Sequence, residues 1–226
     1  MMGRMVREYG QYCGLAHALD VIGGRWSLLI VRDLLTGPKR FKDLEDGLSG
    51  IPTNVLSARL KELEEAGVVR RQLLPRPGRG VGYELTDYGR ELEEPLVKLG
   101  LWGAKTLGPA AEGEPISVDG LALGLRGAFR PDAATGLTRT YELTLDGRPL
   151  KISLDDGRLS ITTDADGADV GLATTPALLI GLLFGQVRID DAIAAGQLTV
   201  TGSKAEARRF FRIFRLSPGQ LPESTA

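Results

Sequence analysis

One cysteine and one histidine, Cys13 and His17, are all that 226 residues offer of the two side chains most used for zinc binding, nucleophilic attack and proton transfer. No disulfide can close within the chain, which fits a reducing compartment, and a zinc site cannot be assembled from this pair and scattered carboxylates. Long hydrophobic runs are also missing. The longest, Ala177 to Phe184, spans eight residues, far short of the roughly 20 needed to cross a bilayer. The N-terminal MMGRMVREYGQYCG has no apolar stretch leading to a small-residue cleavage site, so no secretory signal is expected and the reading is of a cytoplasmic protein. Net charge is nearly absent at minus one, which excludes a chain that is strongly basic or acidic as a whole.

What is present suits a folded protein. Hydrophobic residues make up 42% and charged residues 25%, enough to build a core and too apolar for a disordered chain. The length fits two small domains. Residues 1–108 carry 16 Lys and Arg against 14 Asp and Glu, whereas residues 109–226 carry 12 against 15. Within residues 25–83 the balance is 11 to 7, and this local surplus makes nucleic acid a candidate partner, because polyanion binding follows local rather than net charge. Leu107-Gly108-Pro109-Ala110-Ala111-Glu112-Gly113-Glu114-Pro115 has the composition of a linker. The expected organisation is a first domain over 1–108, a linker over 109–116 with the boundary near residue 112, a second domain over 117–216 and a tail over 217–226.

In the first half, Leu28, Leu29, Ile30, Val31, Leu34 and Leu35 form an apolar helical block that Thr36-Gly37-Pro38 should end. Phe41, Leu44 and Leu48 mark a short amphipathic helix interrupted by Ser49-Gly50. Pro52 suits the first turn of the next helix, whose buried stripe of Val55, Leu56, Leu60 and Leu63 runs to a stop at Gly67. Helix, tight turn and helix follow in order. Opposite the stripe lie Thr53, Asn54, Ser57, Ala58 and Lys61, short or polar side chains that let a helix approach base edges and pair with bases or phosphates. A solvated outer face has the same pattern, so the next segment decides. Strands Val68 to Leu73 and Val81 to Leu85 flank a turn, residues 74–80, from which Arg76 and Arg79 project charge toward a phosphate backbone or minor groove. A helix-turn-helix followed by an Arg-tipped hairpin is a winged helix that binds duplex DNA, with Arg70 and Arg71 on the first strand adding to the contact.

Arg59 stands four residues from both Val55 and Leu63, on the buried side, where a salt bridge to Asp33 or Asp43 is expected and a phosphate contact is the alternative. Thr86 is placed to cap a helix in which Leu92, Leu96, Leu99 and Trp102 recur, with Pro95 as a bend. An apolar stripe ending in Trp at the edge of a small domain is a natural dimer contact. A two-fold dimer sets two recognition helices about 34 Å apart, one DNA turn, to match an inverted-repeat operator.

This order of residues resembles a known family. Cys13, Ala18-Leu19-Asp20-Val21-Ile22-Gly23-Gly24-Arg25-Trp26, Arg40-Phe41 with Leu44, Gly50-Ile51-Pro52, Leu56-Ser57 with Arg59-Leu60, Leu63-Glu64 with Gly67, Tyr83 with Leu85-Thr86, and Trp102 look like the HxlR-type winged-helix transcriptional regulators over about residues 10–105. The resemblance implies a bacterial, dimeric DNA-binding protein that represses or activates neighbouring genes. In several members an N-terminal cysteine matching Cys13 senses electrophiles or oxidants. On a helix, His17 would share a face with it, where imidazolium favours thiolate; a small buried residue at a dimer interface is the competing role. No metal or other cofactor is expected.

The second half alternates as strands over Leu137–Leu145, Leu150–Leu154 and Leu159–Thr163, with turns at Asp146-Gly147-Arg148 and Asp155-Asp156-Gly157, an antiparallel meander. An apolar helix from Thr175-Pro176 to Phe184, a second near Asp190–Ala195, a strand Leu198–Thr201 and a final helix Lys204–Phe214 make an α+β fold with an antiparallel sheet. Gly185, Ala192, Gly196, Leu198, Val200, Gly202, Ala207-Arg208-Arg209-Phe210-Phe211 and Phe214 resemble the sterol carrier protein type 2 domain over about residues 115–216. That resemblance implies a space for lipids or acyl chains, lined by Leu178, Leu179, Leu182, Leu183, Phe184, Phe210, Phe211 and Phe214. The alternative is that these residues simply pack the core. With no Cys or His in this half, catalysis is not expected. Two functions follow for the chain: a transcriptional regulator modulated by an apolar ligand, or a lipid carrier or scavenger whose winged helix serves dimerisation only.

Overall fold

In the computed structural model, which describes residues 9–74, 80–108, 111, 113–163 and 167–215, the stripe of Leu56, Leu60 and Leu63 is buried to within 1% of full exclusion. It belongs to the fourth of the N-terminal helices: α1 is Gly14–Ile22, α2 Ser27–Leu34, α3 Phe41–Gly47 and α4 Thr53–Glu65. Ile30, Val31 and Leu34 of α2 and Leu44 of α3 complete the same core. α4 stops at Gly67, whose φ of +73° lets its N–H reach Glu64 O at 3.0 Å while Val68 N–H reaches Leu63 O at 2.9 Å, a left-handed cap that suits glycine. Strands β2, Val69–Leu74, and β3, Gly80–Leu85, pair antiparallel from Val69 opposite Leu85 to Leu74 opposite Gly80. A short β1, Lys39–Arg40, adds to the outer edge of β3.

Thr86 caps a single turn, α5, Asp87–Arg90, accepting Gly89 N–H at 3.0 Å. The helix the sequence predicts through Trp102 is thus two, and α6 runs separately over Glu93–Ala104. Pro95 does not bend it, because proline in a first turn gives up only an N–H that has no intrahelical partner anyway.

By its contacts the chain divides into two units, Met1–Glu93 and Glu94–Ala226. In the second, α6 lies beside α7, Val118–Ala128: a methyl group built at Gly100 would stand 3.4 Å from Leu123 Cδ2, and one at Gly127 3.0 Å from Leu101 Cδ2. A 3-10 turn, Pro131–Ala134, leads into β4 Thr138–Leu145, β5 Arg148–Asp155, β6 Arg158–Thr162 and β7 Val170–Thr174. α8 Pro176–Leu183, α9 Ile189–Ala194, β8 Thr199–Thr201 and α10 Lys204–Ile213 follow. The hairpin turns are Asp146-Gly147 and Asp156-Gly157, all four residues at positive φ, as a two-residue turn between twisted strands requires. The sheet order is β6-β5-β4-β7-β8. The mixed α+β class holds, and the meander β4 to β6 is antiparallel, but β7 runs parallel to β4. Asp169 explains the crossing: its carboxylate accepts from Thr140 N–H and Oγ1, both at 2.8 Å, so the chain passes β4 at Thr140 and β7 starts along its free edge in the same direction. Tyr141, Leu143 and Leu145 of β4, with Val170 and Leu172 of β7, turn inward against the helices.

Candidate nucleic-acid interface

Because α4 buries one stripe, helical geometry sends Thr53, Asn54, Ser57, Ala58 and Lys61 to the other side, and all five are exposed. Thr53 Oγ1 donates to Glu45 Oε1 of α3 at 2.6 Å, and Ser57 Oγ donates to Thr53 O at 2.9 Å. Lys61 lies 3.7 Å from Glu65, an exposed pair of small energetic worth. Glu45 also accepts from Lys42 Nζ at 3.1 Å. The hydrogen bond from Thr53, and then that from Lys42, hold the Glu45 carboxyl below the usual carboxylate range. Glu45 was not legible as part of this face, since it meets Thr53 only after the turn between α3 and α4 has closed.

On the hairpin, neighbouring strand residues point to opposite sides, so Arg70 and Arg71 do not share a face. Arg70 Nε bonds Glu84 Oε1 at 2.6 Å across the strands, while Arg71 bonds Glu64 Oε2 at 3.2 Å and lies over the Tyr83 ring at 5.8 Å. Arg76 and Arg79 lie outside the described residues. Arg59 is a correction: its partner is Glu62, not Asp33 or Asp43. The guanidinium lies against Gly24 and fills the space a side chain would occupy there; Asp33 is buried and paired with Arg32 at 2.7 Å.

Cys13 is exposed and immediately precedes α1. The main-chain amides of Ala16, then Leu15, pull its thiol below the usual range; these amides, rather than the His17 ring, favour the thiolate. In the second unit, Leu179, Leu182, Leu183, Phe210 and Phe214 are buried in one apolar cluster with the inner face of the sheet, and Leu178 and Phe211 sit half-buried at its margin. Phe184 is half-buried at the end of α8.

A family model for the HxlR-like helix-turn-helix matches residues 21–111. The HTH-type transcriptional regulator YvaP of Bacillus subtilis is 40% identical over 93 residues, 41% of this chain and 86% of that one. The chain belongs to the HxlR-type transcriptional regulators. Another relative, the HTH-type transcriptional regulator YodB of the same organism, is 39% identical over 85 residues, covering 38% of this chain and 76% of its own. The reduced form of YodB superposes with a TM-score of 0.38 at 34% identity, covering 45% of this chain and 100% of that one. This HxlR-type regulator carries a second domain: a model for the SCP-2 sterol transfer family matches residues 125–215. Among the described residues no single helix is long and apolar enough to cross a membrane.

Proposed function

We propose that this regulator binds operator DNA as a homodimer through residues 1–108, with α4 in the major groove and the β2–β3 hairpin on the backbone, under the control of an apolar ligand in its C-terminal domain. The observation that carries the reading is the exposed polar face of α4, backed by the buried Leu56, Leu60 and Leu63 and followed at once by the hairpin. Leu99 and Trp102 of α6 are 48% and 70% exposed, the apolar surface a second copy would cover. Leu178 and Phe211 are half-buried at the margin of the C-terminal core, and they are the surface proposed to meet a lipophilic molecule.

Fluorescence anisotropy with the DNA upstream of its own gene and a scrambled control, over a salt series, tests this. Selective, salt-dependent binding is expected; no binding even at low salt would leave the lipid carrier. Replacing Arg76 and Arg79 by Ala is expected to make the log-log salt slope shallower by about 2, as each duplex phosphate contact contributes about 0.9. An unchanged slope would remove these two arginines from the interface. A saturating long-chain fatty acid that leaves operator affinity untouched would sink the ligand's role, because an effector acts only through unequal affinity for two states.

Cys13 is the proposed redox-responsive thiol, supported by its exposure and its position before α1. Its iodoacetamide labelling should reach half its maximal rate at a lower pH than free cysteine, since only thiolate reacts and its pKa is lowered. A midpoint at or above that of free cysteine would contradict this, with Cys13→Ser as the blank.

A further inference from the structure

The bond that joins the start of α4 to α3 limits what the exposed end of α4 is able to read. A hydroxyl has one proton and two acceptor sites, and Thr53 spends its proton on Glu45 at 2.6 Å. Toward any third partner it therefore acts only as an acceptor. Bonds to an ionised group are roughly twice as strong as neutral ones, so this proton is held more firmly than that of Ser57, which goes to the neutral Thr53 carbonyl at 2.9 Å. Glu45 is itself only an acceptor, kept ionised by Thr53 and Lys42.

Two acceptors side by side, one of them charged, have nothing to offer a phosphate oxygen, which also only accepts and which the carboxylate repels. Base edges in the major groove divide along the same line. O6 and N7 of guanine and O4 of thymine accept, whereas the exocyclic amino groups of adenine and cytosine donate. Helix-turn-helix proteins bring the N-terminal residues of the recognition helix to base edges, and Thr53 is the first residue of α4.

We propose that Thr53 and Glu45 form a specificity-determining acceptor pair that reads one exocyclic amino group, N6 of adenine or N4 of cytosine, in the operator's major groove. The pair rests on the assignment of α4 as the recognition helix. Glu45 reaches the site through Thr53 and supplies the charge that fixes the hydroxyl's direction. Lys42, shared between Glu45 at 3.1 Å and Asp46 at 2.9 Å, offsets part of the cost of placing a carboxylate near DNA.

The test selects duplexes from a randomised library with the full-length protein and compares wild type with Thr53→Val, Thr53→Ser and Glu45→Gln. Wild type is expected to enrich, at one position of each half-site, adenine or cytosine over guanine or thymine on one strand by about tenfold. Thr53→Ser keeps the hydroxyl and should keep that preference; Thr53→Val and Glu45→Gln should reduce it to about twofold or less. A wild-type motif that is unchanged at every position in the Val and Gln variants overturns the pair while leaving α4 as the recognition helix. Failure of wild type to enrich any sequence overturns the recognition-helix assignment itself, and the pair with it. Thr53 is exposed, so the variants should retain the wild-type circular dichroism spectrum, and the Ser variant separates a lost hydroxyl from a lost fold.

Discussion

Phe210→Ala is expected to lower the unfolding free energy of the second unit by about 3–5 kcal/mol, and Phe211→Ala by much less. The two rings are neighbours in sequence on α10 and differ in what surrounds them. Phe210 is fully excluded from solvent, with its ring centre 4.5 Å from that of Phe214, 5.1 Å from that of Tyr141 and 5.1 Å from that of Phe211. Aromatic pairs of this kind add about 0.5–1.5 kcal/mol each beyond the area they bury. Tyr141 is held on its far side too, its hydroxyl donating to Glu206 at 3.3 Å, and burial followed by the Glu206 charge pushes its phenol up to about 12, so it remains a neutral donor. With the partners fixed in this way, removal of the Phe210 ring leaves a hole that the surroundings cannot close, whereas Phe211 at the margin gives up contacts that water replaces. Urea unfolding followed by circular dichroism measures both. A loss below about 1 kcal/mol for Phe210 would mean that its site is loose enough to collapse, which would favour an open chamber over a packed core.

That comparison also sorts the lining residues read from the sequence. Leu179, Leu182, Leu183, Phe210 and Phe214 are spent on the core, whereas Leu178 and Phe211 are among the half-buried residues at its margin. Apolar character on a helix tells which residues leave water, and the core and a ligand chamber ask for the same ones.

What was legible followed from local rules. The stripe of α4, the glycine stop at Gly67 and the two Asp-Gly hairpins are set by residues within a turn of one another, and periodicity and backbone sterics suffice to find them. The helix α7 was not legible. Gly120, Gly124 and Gly127 give Val118–Ala128 poor intrinsic propensity, and the helix exists because Val118, Ala122 and Leu125 are buried against the sheet. The parallel pairing of β7 depends on where Asp169 crosses β4, a contact between residues far apart in sequence. Two-residue β1 carries too little pattern to separate from a loop. In the candidate interface, the exposed face of α4 was visible for the same reason as its stripe. The partners of the interface side chains were not: Glu45 for Thr53 of α4, and Glu84 for Arg70 and Glu64 for Arg71 on β2, are met only after folding.

Gly89→Ala is expected to destabilise the first unit by about 1–3 kcal/mol, the opposite sign from the roughly 0.4–1 kcal/mol gain that the same change brings at a helical glycine with room for a methyl group. Gly89 is buried in α5, and a methyl group there would stand 2.1 Å from Val68 O, 3.1 Å from Val68 C and 3.3 Å from Leu85 Cδ2. The first two are backbone atoms and have little room to yield. Val68 O already accepts Thr86 N–H at 3.0 Å, Thr86 Oγ1 donates to Gly67 O at 2.6 Å, and the same oxygen caps α5 through Gly89 N–H at 3.0 Å. Relieving the clash therefore means pulling α5 away from the junction where α4 ends at Gly67 and β2 begins at Val69, at the expense of that set of hydrogen bonds. Because the junction fixes the hairpin relative to α4, the proposed operator binding should weaken along with stability, and adding excess protein should not restore the wild-type salt slope. Urea unfolding read against the wild type decides the matter: equal or greater stability for Gly89→Ala would show that α5 does not press on Val68.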